Sequence, residues 1–281
     1  HSRAAAADFP NKQPVQRVFL FIAGFSCKSV SGLNPNKMAY ADCCNMEMGE
    51  TGVTFGGVLD YLTNFGPVLV LLENVVGLKG VNLHQCLYLI RLAGYHVVSK
   101  ELCTMDHFLP QSRTRLWILA VKTDAVAPMS GGEVTHFLDA TMAMLSADNE
   151  CVPLSDFLLP DSHPHVASRL AVATDMPTHE GEVNPKRCKW MTSHMDRVGA
   201  DTWCQMRLHV PDDMIVAYPG FKLISPRQMD TLLVNNISLP TDTETIANIS
   251  QTAEFMTVTH GYCSTITPHG IFLLCDRVRP A

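Results

Sequence analysis

No stretch of this chain approaches the ~18 uninterrupted apolar residues that a membrane span requires, so no transmembrane segment is expected. Charge is scarce at 17% of residues, and no basic surplus exists, since 21 Lys and Arg stand against 27 Asp and Glu for a net charge of −6. An overall positive field of the kind that announces a nucleic-acid binder is therefore excluded, and any such binding must rest on a local patch. No Cys-x-x-Cys occurs, and His and Cys never cluster at zinc-ligand spacing, so no metal is expected. The segment from His1 to Gln16 has neither the apolar core of a signal peptide nor a single glycine. An intracellular protein is expected, nuclear in a eukaryotic source.

What is present is a packed globular composition. Of 281 residues, 47% are hydrophobic, and ten cysteines are diluted along the chain in the manner of reduced, mostly buried thiols. The first 121 residues repeat an apolar run, a turn and a helix-like stretch, the rhythm of an α/β fold whose parallel sheet is covered on both faces. Four strands are predicted at Arg17–Ala23, Val68–Leu72, Val97–Leu102 and Leu116–Val121. Val58, Leu59, Leu62 and Phe65 mark one helix, and Leu83, Leu87 and Ile90, closed by Gly94, mark another. The stretch Cys103–Thr114 reads as a loop. From Lys122 onward the rhythm is lost in favour of Pro, Asp, Ser, Thr and His, which suggests a second, loop-rich domain. Within it, Lys186, Arg187, Lys189 and Trp190, followed by Arg197 and Arg207, form the one concentrated basic and aromatic segment. It reads either as a solvated charged surface or as a phosphate-contacting patch.

Three sequence elements carry chemistry. The first strand runs into Gly24-Phe25-Ser26-Cys27-Lys28-Ser29-Val30-Ser31, which puts Cys27 in a tight turn at a strand's carboxyl end, beside a lysine and near a helix N-terminus. Such surroundings favour a thiolate, and open α/β sheets hold their sites at that end. The second strand delivers Glu73 and Asn74, a carboxylate and an amide closing an apolar run, where a carboxylate needs a partner or a task. Before the fourth strand, Gln111-Ser112-Arg113-Thr114-Arg115 alternates so that Arg113 and Arg115 face the same way.

In this order the elements resemble the DNA (cytosine-5) methyltransferase family. Cys27 matches its Pro-Cys nucleophile, Glu73 and Asn74 its Glu-Asn-Val motif, and Gln111, Arg113 and Arg115 its Gln-x-Arg-x-Arg motif. Looser likeness extends through Gly94-Tyr95, Asp106–Gln111 and Ser264–Arg277. The resemblance implies a Rossmann-like, S-adenosylmethionine-dependent methyltransferase sheet with a target-recognition domain. It divides the chain into a catalytic half over 1–121, a target-recognition region over 122–247, and a return segment to the catalytic domain over 248–281. It also implies that the Cys27 thiolate adds to carbon 6 of a flipped cytosine while Glu73 engages ring nitrogen 3. Arg115 would contact the base carbonyl and Arg113 would organise the loop, with Asn74, Gln111 and Ser31 as substrate-binding residues. S-adenosylmethionine is the implied cofactor, cytosine-containing duplex DNA the implied partner, and no cofactor-binding residue is assigned.

The chain departs from the family pattern at Ser26, where proline is usual, and at Lys28, where glutamine is usual. The family also places a glycine-rich cofactor loop on strands upstream of the first one here. The expectation is a sheet lacking its first strands, with an exposed apolar edge prone to association. A non-catalytic DNA-binding remnant and an RNA cytosine methyltransferase are the alternative readings.

Overall fold

The computed structural model describes residues 17–145, 150–160, 162–175, 189–203, 224–235, 245–267 and 270–275. The chain divides into two compact units, one of residues 1–109 and 113–150, the other of 110–112 and 151–281.

In the first unit four strands form one sheet in the order β1-β2-β5-β3, with β1 at Leu20–Gly24, β2 at Leu69–Val75, β3 at Tyr95–Cys103 and β5 at Thr114–Lys122. β1 and β2 run parallel, as expected. β5 does not: it is antiparallel to both β2 and β3. The reason is the connection. A parallel return needs a long crossover, usually a helix, whereas the link from β3 to β5 holds only the 3-10 turn Thr104–His107 and the short strand β4, Gln111–Ser112. The sheet is thus mixed, with parallel β1 and β2 extended by an antiparallel pair.

One face of the sheet packs on helices α1 (Cys43–Met46), α2 (Gly49–Phe65) and α3 (Val81–Leu92). Val70, Leu72, Leu116, Ile118 and Ala120 meet Phe55, Val58, Leu62, Cys86 and Ile90 there. The helices end where glycine takes a left-handed backbone, Gly66 at φ 56° after α2 and Gly94 at φ 91° after α3. α4, Gly131–Met144, begins with a capping box in which Ser130 and Glu133 satisfy each other's backbone N–H groups. Its Val134, Leu138 and Met142 cover the opposite face beside Val98 and Val121. The first unit, which includes that helix, extends past residue 121 to Glu150.

Cover on this second face is incomplete, contrary to the expectation of a sheet buried on both sides. Leu20 and Ile22 are 46% and 63% exposed. Among the described residues β1 is the sheet's edge, bonded on one side to β2.

Glycine also decides how closely the turns after β1 and β2 approach. A Cβ on Gly77 would overlap the backbone carbonyl of Val30. Because that neighbour is backbone, Gly77→Ala is expected to push the 27–31 turn aside and to cost about 1–3 kcal/mol. A denaturant titration checks this, and an unchanged midpoint would show that the two turns yield without cost.

The second unit contains a three-stranded antiparallel sheet, β7-β6-β9, from Val258–His260, Thr245–Asn248 and Phe272–Cys275. β7 and β9, which lie in the 248–281 segment expected to return to the catalytic domain, are strands of this unit's own sheet. β4 pairs here with β8, Cys263–Ser264. Besides α5 (Pro164–Asp175), this unit has α6 (Lys189–Val198) and α7 (Pro226–Val234), joined by a buried polar knot. Asp230 Oδ2 accepts from Trp203 Nε1 at 2.7 Å and lies 2.7 Å from His194 Nδ1. Buried polar groups are tolerated when bonded in this way.

Candidate active site

β1, β2 and β5 end at one cleft of about 350 Å³ on the first unit, lined by Gly24, Glu73, Cys103, His107, Arg113, Arg115 and Trp117, with Ile22 and Leu102 among its apolar neighbours. Strand register explains the grouping. Gly24, Glu73 and Trp117 are cross-strand partners, so their side-chain positions share one face of the sheet, and Arg115 lies two residues from Trp117 on that same face. Sequence reading anticipated Glu73 and both arginines; it did not single out Trp117, His107 or Cys103. Trp117 was detectable from strand period alone, because it alternates with Arg115.

Glu73 Oε1 lies 3.1 Å from Arg115 Nε and 3.9 Å from Arg113 Nη2. Arg115 is the better buried of the two arginines and also donates from Nη1 to the Thr114 carbonyl at 2.8 Å. The other carboxylate oxygen faces glycine: a Cβ on residue 24 would stand 3.2 Å from Glu73 Oε2. Glycine thus leaves Oε2 open on that side. Asn74 alternates to the opposite face, is 1% exposed, and donates from Nδ2 to the Phe25 carbonyl at 3.0 Å while its Oδ1 accepts from the Val75 N–H. One residue after the cleft carboxylate, β2 therefore grips the turn that bears Cys27.

Cys27 is half-buried, and its carbonyl accepts from the N–H groups of Val30 and Ser31. Ser31 thereby closes the turn through its backbone, while its Oγ accepts from the Leu33 N–H at 3.3 Å. Lys28, expected as a cation beside the thiol, has its ammonium 2.9 Å from Glu50. That ion pair, with the Ser26 hydroxyl contributing less, holds the Glu50 carboxyl below the usual carboxylate range. Gln111 falls in the second unit, where it pairs with Cys263.

Among the remaining thiols, Cys43, Cys44 and Cys86 are core residues, and burial pushes Cys86 well above an ordinary thiol. In the second unit Lys189 opens α6, and Trp190 packs partly buried against Met191, Trp203 and Val234, its ring centroid 5.4 Å from that of His194. Lys186 and Arg187 lie outside the described residues, as does Arg207. Among the described residues no group of His, Cys, Asp and Glu could hold a metal ion, and no helix is long and apolar enough to cross a membrane.

A sequence model of C-5 cytosine-specific DNA methylases matches residues 7–192. The chain belongs to that family. The matched range takes in the whole cleft, the Cys27 turn and the start of α6. The chain is also similar to the Type II methyltransferase M.DsaV of Dactylococcopsis salina, at 35% identity over 104 residues that make up 36% of this chain and 27% of that protein. It thus spans little more than a quarter of that curated relative's length. Similar solved structures include the Dnmt2 methyltransferase of S. pombe, at 20% identity, 37% and 28% coverage and a TM-score of 0.27. A substituted DNMT2 of Spodoptera frugiperda is similar at 12% identity, 85% and 73% coverage and a TM-score of 0.36.

Proposed function

We propose that this member of the C-5 cytosine-specific DNA methylase family acts as a DNA (cytosine-5) methyltransferase. The observation that carries the proposal is Glu73 itself, one oxygen held by Arg115 and the other beside the bare backbone of Gly24, on the strand that grips the Cys27 turn. Carbon 5 of cytosine is a weak nucleophile. Addition of the Cys27 thiolate to carbon 6 shifts the ring's double-bond electrons toward carbon 5, and Glu73 relieves the resulting charge by hydrogen bonding or protonation at nitrogen 3. Once carbon 5 carries its new methyl group, loss of the carbon 5 proton and expulsion of the Cys27 sulfur restore both the base and the thiolate. Arg115 fixes the Glu73 carboxylate and is available to the base carbonyl, and Arg113 supports the same corner. A base inside a duplex is out of reach, so the cytosine would be flipped into the cleft.

S-adenosylmethionine supplies the methyl group in this reading. It is cationic at sulfur, whereas the cleft's one carboxylate, Glu73, is already paired with Arg115 and backed by Arg113. The residues lining the cleft therefore do not fit the donor's positive charge. No donor-binding residue is assigned and no step is derived through it.

The test is transfer of a labelled methyl group from S-adenosylmethionine to duplex DNA, with digestion to nucleosides. Label in 5-methylcytosine is the expected result. Label in RNA alone would make the protein an RNA cytosine methyltransferase, and DNA retention without transfer would make it a binding protein.

A further inference from the structure

We propose that Glu50 is a positioning residue for Cys27, clamping the residues on both sides of the nucleophile; the inference rests on the catalytic reading of Cys27 above. Ser26 and Lys28 are the two places where this turn departs from the family pattern. Both reach the same carboxylate. The Ser26 hydroxyl donates to Glu50 Oε1 at 3.1 Å, and the Lys28 ammonium lies 2.9 Å from Glu50 Oε2. A proline before the cysteine would stiffen the turn through its fixed φ. Serine has no such constraint, so the turn must be held from outside.

The first two turns of α2 are placed to do this. The Ser26 N–H donates to Thr54 Oγ1 at 3.1 Å. Two residues beyond Cys27, the Ser29 N–H donates to Thr51 Oγ1 at 3.1 Å, and Ser29 Oγ accepts from the Thr51 N–H at 3.2 Å. That reciprocal pair is buried, with Thr51 at 0% and Ser29 at 4% exposure. Gly49, at φ 63°, lets the helix start this close, because a Cβ there would stand 2.5 Å from Ser29 Oγ. The buried Ser29–Thr51 pair anchors the far side of the turn, and Glu50 completes the hold across Cys27. Single exposed ion pairs are weak. Here the pair acts on a reacting atom's neighbours, where small misplacements are costly in rate.

Two readouts test the inference. In Glu50→Ala, alkylation of Cys27 by iodoacetamide in the free protein, followed by peptide mass spectrometry, should change by roughly three- to tenfold, and Glu50→Asp should restore it in part. Methyl transfer should lose kcat by a similar factor with the KM for DNA unchanged. If Glu50→Ala does not fold, Ser26→Ala combined with Lys28→Gln removes the same contacts from the other side. Cys27 alkylation indifferent to these variants in folded protein would overturn the proposal. Wild-type protein that transfers no methyl group, yet whose Cys27 alkylation responds to Glu50, would overturn the catalytic reading and leave the positioning role standing.

Discussion

Glu73→Gln should leave a folded protein whose methyl transfer is slower by roughly 10²- to 10⁴-fold, the range typical for loss of a positioned acid–base group. Glutamine keeps the shape of glutamate and still accepts a hydrogen bond from Arg115, but it cannot carry the proton that nitrogen 3 of the ring requires. Removing the charge also loosens the corner, since Arg115 then retains its bond to the Thr114 carbonyl and a weaker one to residue 73. The stability cost should stay within about 1 kcal/mol, because the pair is only partly buried. Rate and stability thus separate, and a rate matching wild type in folded Glu73→Gln would remove Glu73 from the chemistry.

Phe55→Ala should have the largest effect on the fold, at about 3–5 kcal/mol. Phe55 is fully buried on α2, with its ring centroid 5.3 Å from that of Phe25. Phe25 in turn presents the carbonyl that Asn74 holds. The cavity left by the substitution therefore opens directly beneath the nucleophile's turn, and activity should fall even at temperatures where the protein remains folded. Phe137 offers the control. It lies 62% exposed on α4, so its replacement by alanine should change stability by no more than about 0.5 kcal/mol. Equal denaturant midpoints for the two variants would contradict the packing described here.

Most of the first unit was legible in sequence because its strands centre on apolar runs and its helices repeat at the expected spacing. Direction was not. Nothing in the composition of residues 114–122 distinguishes a parallel from an antiparallel strand, and only the brevity of the preceding link, with no helix in it, dictates the reversal. Glu73, Arg113 and Arg115 were readable because charge at the end of an apolar strand stands out. Glu50 and Thr51 were not, since polar residues in a helix's first turn look like ordinary capping until the fold brings them to Ser26, Lys28 and Ser29. The contact between Gly77 and the Val30 carbonyl was equally hidden, because it joins turns that follow different strands. Trp190 stood out as an aromatic beside lysines, and its partial burial against Met191, Trp203 and Val234 became visible only in the fold.

The claim on which everything else depends is that the Cys27 sulfur adds to carbon 6 of cytosine. That step can be observed without a methyl donor, because addition makes carbon 5 basic enough to exchange its hydrogen with water. Duplex DNA carrying tritium at carbon 5 of cytosine should release label when incubated with the protein, and release should fall to background with Cys27→Ser. Undiminished release by Cys27→Ser would contradict the assignment of Cys27 as the nucleophile.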